Sequence, residues 1–374
     1  MGLAAEPALA MVLAMAYVSR PHELTIVYVG NAESNEIIVL QLQQQTGDLA
    51  VLERVPIPNV VQPGISTPMA LSPDRRFLYV GVRGQPQAVS SFVINPASGR
   101  LTYLVSAPLA DSMAYLVTDR TGQFLLGASY PGHKLTVNPI EPSGIVQPPH
   151  QVLPNHPHAH AILIDAQNRY VLAPTLGNDC VSQFIFDANT GVLTPNTPPA
   201  IRLQAKSGPR HVVFHPNGRL VYVLGERDGS VTVLDYDART GQLEEKQRVS
   251  ALPPGFQGSP LAADLHLTPD GRFLYGTERT SSTLTGFTVD PLHGTLSRIG
   301  SVPTETQPRG FNIDPSGRYV LVVGQLSHAL SSYQIDADTG HLTQLKAYPM
   351  GKNPNWIEMM DLPDAQHSRE HGAQ

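Results

Sequence analysis

Apolar runs return along the chain at a nearly fixed spacing, each preceded by a polar turn: Leu71-Ser-Pro-Asp-Arg-Arg-Phe-Leu-Tyr-Val80, Phe214-His-Pro-Asn-Gly-Arg-Leu-Val-Tyr-Val223, Leu267-Thr-Pro-Asp-Gly-Arg-Phe-Leu-Tyr275 and Ile313-Asp-Pro-Ser-Gly-Arg-Tyr-Val320. Weaker copies stand at Thr118-Asp-Arg-Thr-Gly-Gln-Phe-Leu125 and Ile164-Asp-Ala-Gln-Asn-Arg-Tyr-Val171. The aligned residues Tyr79, Leu125, Val171, Tyr222, Tyr275 and Leu321 recur every ~46–53 positions, a unit long enough for four short strands. Inside each unit the apolar run is followed by an alternating run such as Val231-Thr-Val-Leu-Asp-Tyr236. A second turn then follows, as in Asp237-Ala-Arg-Thr-Gly241. Period-two alternation between Pro, Asp and Gly turns predicts strands throughout, and no stretch carries a helical period.

The two ends supply one further unit. Ile26–Val29 and Glu36–Leu40 match the second and third strands of a repeat but lack a first, and Asn353-Pro-Asn-Trp-Ile-Glu358 resembles the first strand Gln307-Pro-Arg-Gly-Phe-Asn312. The expected fold is therefore all-β, a seven-bladed propeller of four-stranded blades whose ring is closed by a C-terminal strand completing the N-terminal blade. Closure pairs strand edges that would otherwise invite aggregation.

Composition changes this picture little. With 374 residues, length alone would suggest two or three domains, but repeats that bury their faces only against neighbours argue for one propeller over 25–361. Outside it lie an N-terminal apolar segment, 1–24, and a polar, disordered tail, 362–374. A net charge of −6 without a basic run argues against nucleic acid as a partner. The apolar stretch Ala8–Tyr17 is too short to span a bilayer, and no Lys or Arg precedes it as in a secretory leader. The reading is a cytoplasmic protein without membrane partners, with a cleaved leader as the alternative; nothing in the chain specifies an oligomeric state. The single cysteine, Cys180, excludes an internal disulfide and reads as a small buried residue.

Aligned repeats make it possible to ask where single units turn polar. Inner strands of a propeller face its channel, so one matched position per blade forms a ring. Six residues before the turn proline, or its equivalent, the ring reads Thr67, Ala114, His160, Arg210, Ala263 and Arg309, with Asn355 from the closing strand. Four residues after the aligned Tyr or Leu stand Arg83, Ser129, Thr175, Glu226, Arg279 and Gln325. Blade packing requires no charge at these positions. Arginines gathered in a concave site suit a carboxylate or phosphate.

The local motifs also resemble a known family. Gly208-Pro-Arg-His211 before Phe214-His-Pro, Glu226, Ala263-Asp-Leu-His-Leu-Thr-Pro-Asp-Gly-Arg272 with Glu278-Arg-Thr280, Thr304-Glu-Thr-Gln-Pro-Arg-Gly-Phe311, and Gly324-Gln325 with Ser327-His328 are similar to the seven-bladed propeller lactonases. That family includes propeller-type 6-phosphogluconolactonases and carboxymuconate lactonising enzymes, and the resemblance covers residues 25 to 360. In its muconate branch a His, an Arg, a Glu and a second Arg are the working residues. Local motif carries them onto His160, Arg210, Glu226 and Arg279. The segment Asn155-His-Pro-His-Ala-His160 is richer in His than the phosphogluconolactonase branch, which leaves the substrate open.

The resemblance implies hydrolysis of an acidic sugar lactone, most simply 6-phosphogluconolactone, without metal or organic cofactor. Such a reaction needs a base for water, donors for the developing oxyanion and a cation for the acidic tail. We expect Glu226 and His160 as the acid/base pair, Arg210 and Arg279 at the carbonyl oxygen, Arg83 and Arg309 on the phosphate or carboxylate, and Gln325 and His328 as secondary contacts. Two other readings are a muconate-type cycloisomerase and a non-catalytic scaffold that binds protein through its loops. His156, His158 and His160 alternate, so on a strand they would share one face, a spacing that can bind zinc; with no Cys or acidic partner nearby, a channel-lining role is expected instead. His215 and His266 are expected to cap loops or pack in strands, Tyr79, Tyr222 and Tyr275 to pack in the core, and Trp356 to anchor the closing seam.

Overall fold

Each turn is knitted by the side chain that opens it. Asp119 Oδ1 accepts from the amides of Gln123 and Phe124, Asp314 Oδ1 from Arg318 and Tyr319, and Thr268 Oγ1 from Phe273. Three residues on, the backbone takes a positive φ: 73° at Gly122, 67° at Gly218, 77° at Gly271 and 73° at Gly317. Glycine adopts this conformation freely, which explains the recurring Pro-x-Gly. Where it is missing, Arg75 and Asn168 occupy the same region at 60° and 57°.

The computed structural model describes residues 24–362, which form 28 strands in seven four-stranded sheets. Blade 1 contains β1 (Leu24–Asn31), β2 (Glu36–Leu42) and β3 (Leu49–Pro56), with β28 (Pro354–Leu362) inside β1. The antiparallel register pairs Tyr28 with Glu358 and Gly30 with Trp356, so the ring is closed as the sequence predicts. The inner strands of blades 2 to 7 are β4 (Met69–Leu71), β8 (Met113–Thr118), β12 (Leu163–Ile164), β16 (Pro209–Phe214), β20 (Ala262–Leu267) and β24 (Pro308–Ile313). The expected N-terminal segment and C-terminal tail lie outside the described residues.

Burial follows position in the blade. The second strands, such as β5 (Phe77–Val82) and β17 (Leu220–Gly225), are buried at every residue because neighbouring blades cover both faces; the outermost strands, such as β19 (Gln242–Ser250), are largely exposed. Cores form between blades rather than within them: Val27, Ile38 and Leu40 of blade 1 pack with Leu321, Val323 and Leu330 of blade 7. Tyrosines on second strands tie this packing down. Tyr28, Tyr222 and Tyr275 donate to the carbonyls of Gly99, Gly294 and Gly340 in the outer turn of the next blade, at 2.8, 3.0 and 2.7 Å. Tyr79 is buried in the same way, and Cys180 lies buried on a strand.

One expectation changes and one is extended, since Trp356 packs on the core between blades 1 and 2 as expected and makes further contacts. The segment carrying His156, His158 and His160 is not a strand: its inner strand shrinks to Leu163–Ile164, and a turn reverses the chain at 157–158. The three histidines therefore diverge. His156 packs on Phe184, His158 on Tyr130, and His160 alone joins the ring. Trp356 reaches into the channel, its ring 5.2 Å from Tyr115 of blade 3 and 6.4 Å from His211 of blade 5.

Candidate active site

Strand alternation would send adjacent residues to opposite faces, and at the start of the inner strands the register breaks. The shifts fall between Met113 and Tyr115, Pro209 and His211, Ala262 and Leu265, Pro308 and Gly310, and opposite Gly30–Asn31 in β28. The extra residues include Ala114, Arg210, Ala263, Arg309 and Asn355, which are five of the seven ring positions. A bulge re-aims a side chain out of the pleat. The same device, repeated around the ring, turns this position away from the ladder in blade after blade.

Arg210 is the centre of the resulting cluster and is 1% exposed. Its Nε lies 2.7 Å from Glu226 Oε2, which Arg279 Nη2 also approaches, at 3.1 Å. Neither N–H is aligned on the carboxylate, so both remain buried donors without a directed hydrogen bond. Arg210 Nη1 donates to the Ala263 carbonyl and lies 3.0 Å from His211 Nε2. Arg279 Nε donates to the Leu261 carbonyl at 2.9 Å. Burial first, then Arg279, draws the Arg210 pKa down to about 10, while Glu226 and Asp264 oppose that shift. It stays charged at neutral pH.

Arg83 and Arg309 complete the cluster on different terms. Arg83 donates to the hydroxyls of Ser112 and Ser66 at 3.2 and 3.0 Å, and Arg309 makes one long contact, 3.5 Å, to the Ile65 carbonyl. Among the described residues neither has a carboxylate within ion-pair distance. Burial and the charges of Arg210, Arg83 and Arg279 press the Arg309 pKa well below the usual arginine range; burial lowers that of Arg83 to about 10, against the opposing pull of Asp111 and Tyr130. Among the described residues the four guanidiniums have one ion-paired carboxylate, Glu226, while Asp264 and Asp111 act on Arg210 and Arg83 from beyond ion-pair distance. That imbalance favours an anion.

His160 is 5% exposed and its Nδ1 has no hydrogen-bond partner. Its ring sits 5.3 Å from His211 and 5.9 Å from Tyr130. Burial, then Arg210, His211, Arg309 and Arg83, holds its pKa well below the ordinary value, so the ring is neutral at physiological pH.

Gln325 and His328 bond to Asn353 rather than to the arginines. The Gln325 amide donates to Asn353 Oδ1 at 2.8 Å, and His328 Nδ1 accepts from the Asn353 amide at 3.1 Å, so both brace the loop entering β28. Asn355 in turn accepts from the Thr67 amide at 3.0 Å. His215 caps its loop, accepting from the Asn217 amide. His266 instead points into the channel, 3.3 Å from Asp264. Among the described residues no three His, Cys, Asp or Glu side chains gather so as to hold a metal ion, and no helix is long and apolar enough to cross a membrane.

Sequence reasoning missed His211, Asp264, Tyr115 and Tyr130. Counting one residue per blade selects the bulged position and passes over its neighbour. The signal was present in Pro-Arg-His211 and Ala-Asp264-Leu-His266, where charge interrupts otherwise apolar strands.

The family described as "Lactonase, 7-bladed beta-propeller" matches residues 26–359. The chain is 42% identical over 337 residues to a 6-phosphogluconolactonase of Pectobacterium carotovorum, covering 90% of this chain and 99% of that one. It is 41% identical over 333 residues to the Yersinia pestis protein of the same name, covering 89% and 97%. Among solved structures, a putative 6-phosphogluconolactonase from Bacteroides fragilis superposes with a TM-score of 0.81 at 29% identity, covering 91% of this chain and 99% of that one. A periplasmic gluconolactonase of Pseudomonas aeruginosa also gives 0.81, at 28% identity and 91% and 100% coverage. The chain belongs to the seven-bladed β-propeller lactonase family.

Proposed function

We propose that the protein hydrolyses the ester of a phosphorylated sugar lactone, 6-phosphogluconolactone, to the open-chain acid. The observation that carries this reading is the pair Arg83 and Arg309, two guanidiniums without an ion-paired carboxylate among the described residues, beside the Arg210–Glu226–Arg279 group. A phosphate dianion would supply the missing charge and accept charge-assisted hydrogen bonds from both. The names of the relatives at 42% and 41% identity support the same substrate.

In this reading Glu226 is the base. Its Oε2 is held by two arginines, whereas Oε1 has no hydrogen bond or ion pair among the described residues. Oε1 takes a proton from water as the water oxygen attacks the lactone carbonyl. The unaligned N–H groups of Arg210 and Arg279 receive the oxyanion as it forms, when they are most effective. Collapse breaks the ring C–O bond, and the proton held by Glu226 passes to the departing alkoxide, with the neutral His160 ring hydrogen-bonding that oxygen. Burial beside the guanidiniums of Arg210, Arg309 and Arg83 makes His160 a weak base, which supports Glu226 in the first step. Water is the only co-reactant. Because a phosphorylated lactone does not cross a membrane unaided, we place the enzyme in the cytoplasm, where cell fractionation checks it.

Acid release followed by pH-stat titration tests the assignment with 6-phosphogluconolactone, unphosphorylated gluconolactone and a muconolactone. The expected result is a kcat/KM at least ~10-fold higher for the phosphorylated substrate than for the other two. Equal rates on gluconolactone would remove the phosphate from the reading, and silence on all three would remove the hydrolase.

A further inference from the structure

Beneath the arginine cluster, a chain of buried polar groups runs down the channel wall. Arg210 Nη1 lies 3.0 Å from His211 Nε2; His211 Nδ1 lies 2.7 Å from Asp264 Oδ1; Asp264 Oδ2 lies 3.3 Å from His266 Nε2. We propose that Asp264, acting through His211, is the positioning residue that holds Arg210 in register with Glu226. This rests on the lactonase reading above and names residues to which that reading gives no role.

Donor and acceptor requirements fix the direction. Arginine only donates, so the His211 nitrogen facing Arg210 must carry its lone pair, and the proton must sit on Nδ1, aimed at Asp264. A protonated His211 would set N–H against N–H. The structure opposes that state, because burial and the Arg210 charge lower the His211 pKa to about 4. Rings enclose the imidazole: Tyr115 edge-on at 5.3 Å, His160 at 5.3 Å and Trp356 at 6.4 Å. It can transmit an orientation because it has little room to turn.

Asp264 is suited to the task because every contact made to it is a donor. Oδ1 accepts from His211 and from the Leu265 amide at 2.9 Å; Oδ2 accepts from His266 and from the Phe311 amide at 3.2 Å. One bulge of blade 6 supplies both this carboxylate and the Ala263 carbonyl that takes the other contact of Arg210 Nη1. The guanidinium is therefore held at Nη1 by blade 6 directly and by blade 6 through His211. Its Nε then has one place to go, beside Glu226.

Asp264→Asn separates a positioning role from a merely structural one. The amide NH2 must face donors on one side or the other. Facing His211, it drives the ring to the Nε2–H tautomer and pushes Arg210 off its mark, as the wrong tautomer does in a triad whose aspartate is replaced by asparagine. We expect kcat to fall 30-fold or more with KM within about 3-fold of wild type, the split that a misplaced transition-state donor gives. Loss through KM alone, or an unchanged kcat in a folded variant, overturns the proposal. If the variant does not fold, the wild-type protein still decides: nitrogen-15 histidine spectra at pH 7 must show His211 neutral with the proton on Nδ1, and an Nε2–H or doubly protonated ring refutes the relay. Failure of the wild type on every lactone would defeat the functional reading instead, leaving the tautomer result to stand separately.

Discussion

The two halves of the channel differ in how they treat charge. At the end where the inner strands begin, Arg83 and Arg309 have no ion-paired carboxylate among the described residues and Arg210 and Arg279 share one. At the other end a cavity of about 410 Å³ is lined by Met69, Phe311, Met360, Glu358 and the turn residues Arg75 and Arg120. There the charges are already engaged: Arg120 donates to the carbonyls of Asp165 and Ile164, and Arg75 to that of Asp361. Engaged charge lies at one end and unmet charge at the other. An ionic substrate follows the charge, so the half whose charges are already engaged is the poorer candidate for catalysis.

The sharpest way to break this contrast is at the base. Glu226→Gln should lower kcat on the phosphorylated lactone by ~10²–10⁴-fold, the range for loss of a general base, while the protein stays folded. A residual rate within 10-fold of wild type would move the base elsewhere. Next, Arg309→Ala should raise KM for the phosphorylated substrate ~10–100-fold, from the loss of a hydrogen bond to a charged group, and leave gluconolactone nearly unaffected. Equal losses on both would show that Arg309 does not read the phosphate.

The opposite half should respond in stability instead. Burial raises the Glu358 pKa to about 7 from an ordinary 4.5, against the Trp356 N–H and His266, which lower it. Between those values the folded chain keeps a proton that the unfolded chain has released, so stability falls as pH rises through the window and the whole cost remains above it. Glu358→Gln should therefore unfold a few degrees higher than wild type at pH 8, corresponding to roughly 2 kcal/mol, and match it at pH 4. Activity should not change; a large loss would bring the lower cavity into the mechanism. Smallest of all, Gln325→Ala and His328→Ala should alter kcat/KM by less than about 3-fold, since both side chains brace Asn353. Larger effects in initial-rate assays would extend the site to blade 7's outer loop.

Much of the architecture was legible because a polar turn, with a proline in four of the six copies, marks the end of the inner strands of blades 2 to 7 and gives those copies a common ruler. The same ruler placed Arg210, Arg309 and His160 on one ring. It could not show why they face inward, since a bulge carries no mark in a pattern read with period two. Asp264 and His211 escaped for that reason: next to a bulged position, alternation assigns the wrong face. His156 and His158 misled in the opposite sense, because alternation there had no strand beneath it. Gln325 and His328 occupy family-like positions, yet nothing local announces that Asn353, from a segment adjacent only after closure, engages them.

The strand that closes the ring also lines it. β28 brings Asn355 beside Thr67, Trp356 against Tyr115 and His211, and Glu358 into the lower cavity. A ribosome must therefore translate through residue 358 before either mouth of the channel has its full wall. Six blades made early have nothing to enclose until the seventh is finished by the last strand to emerge.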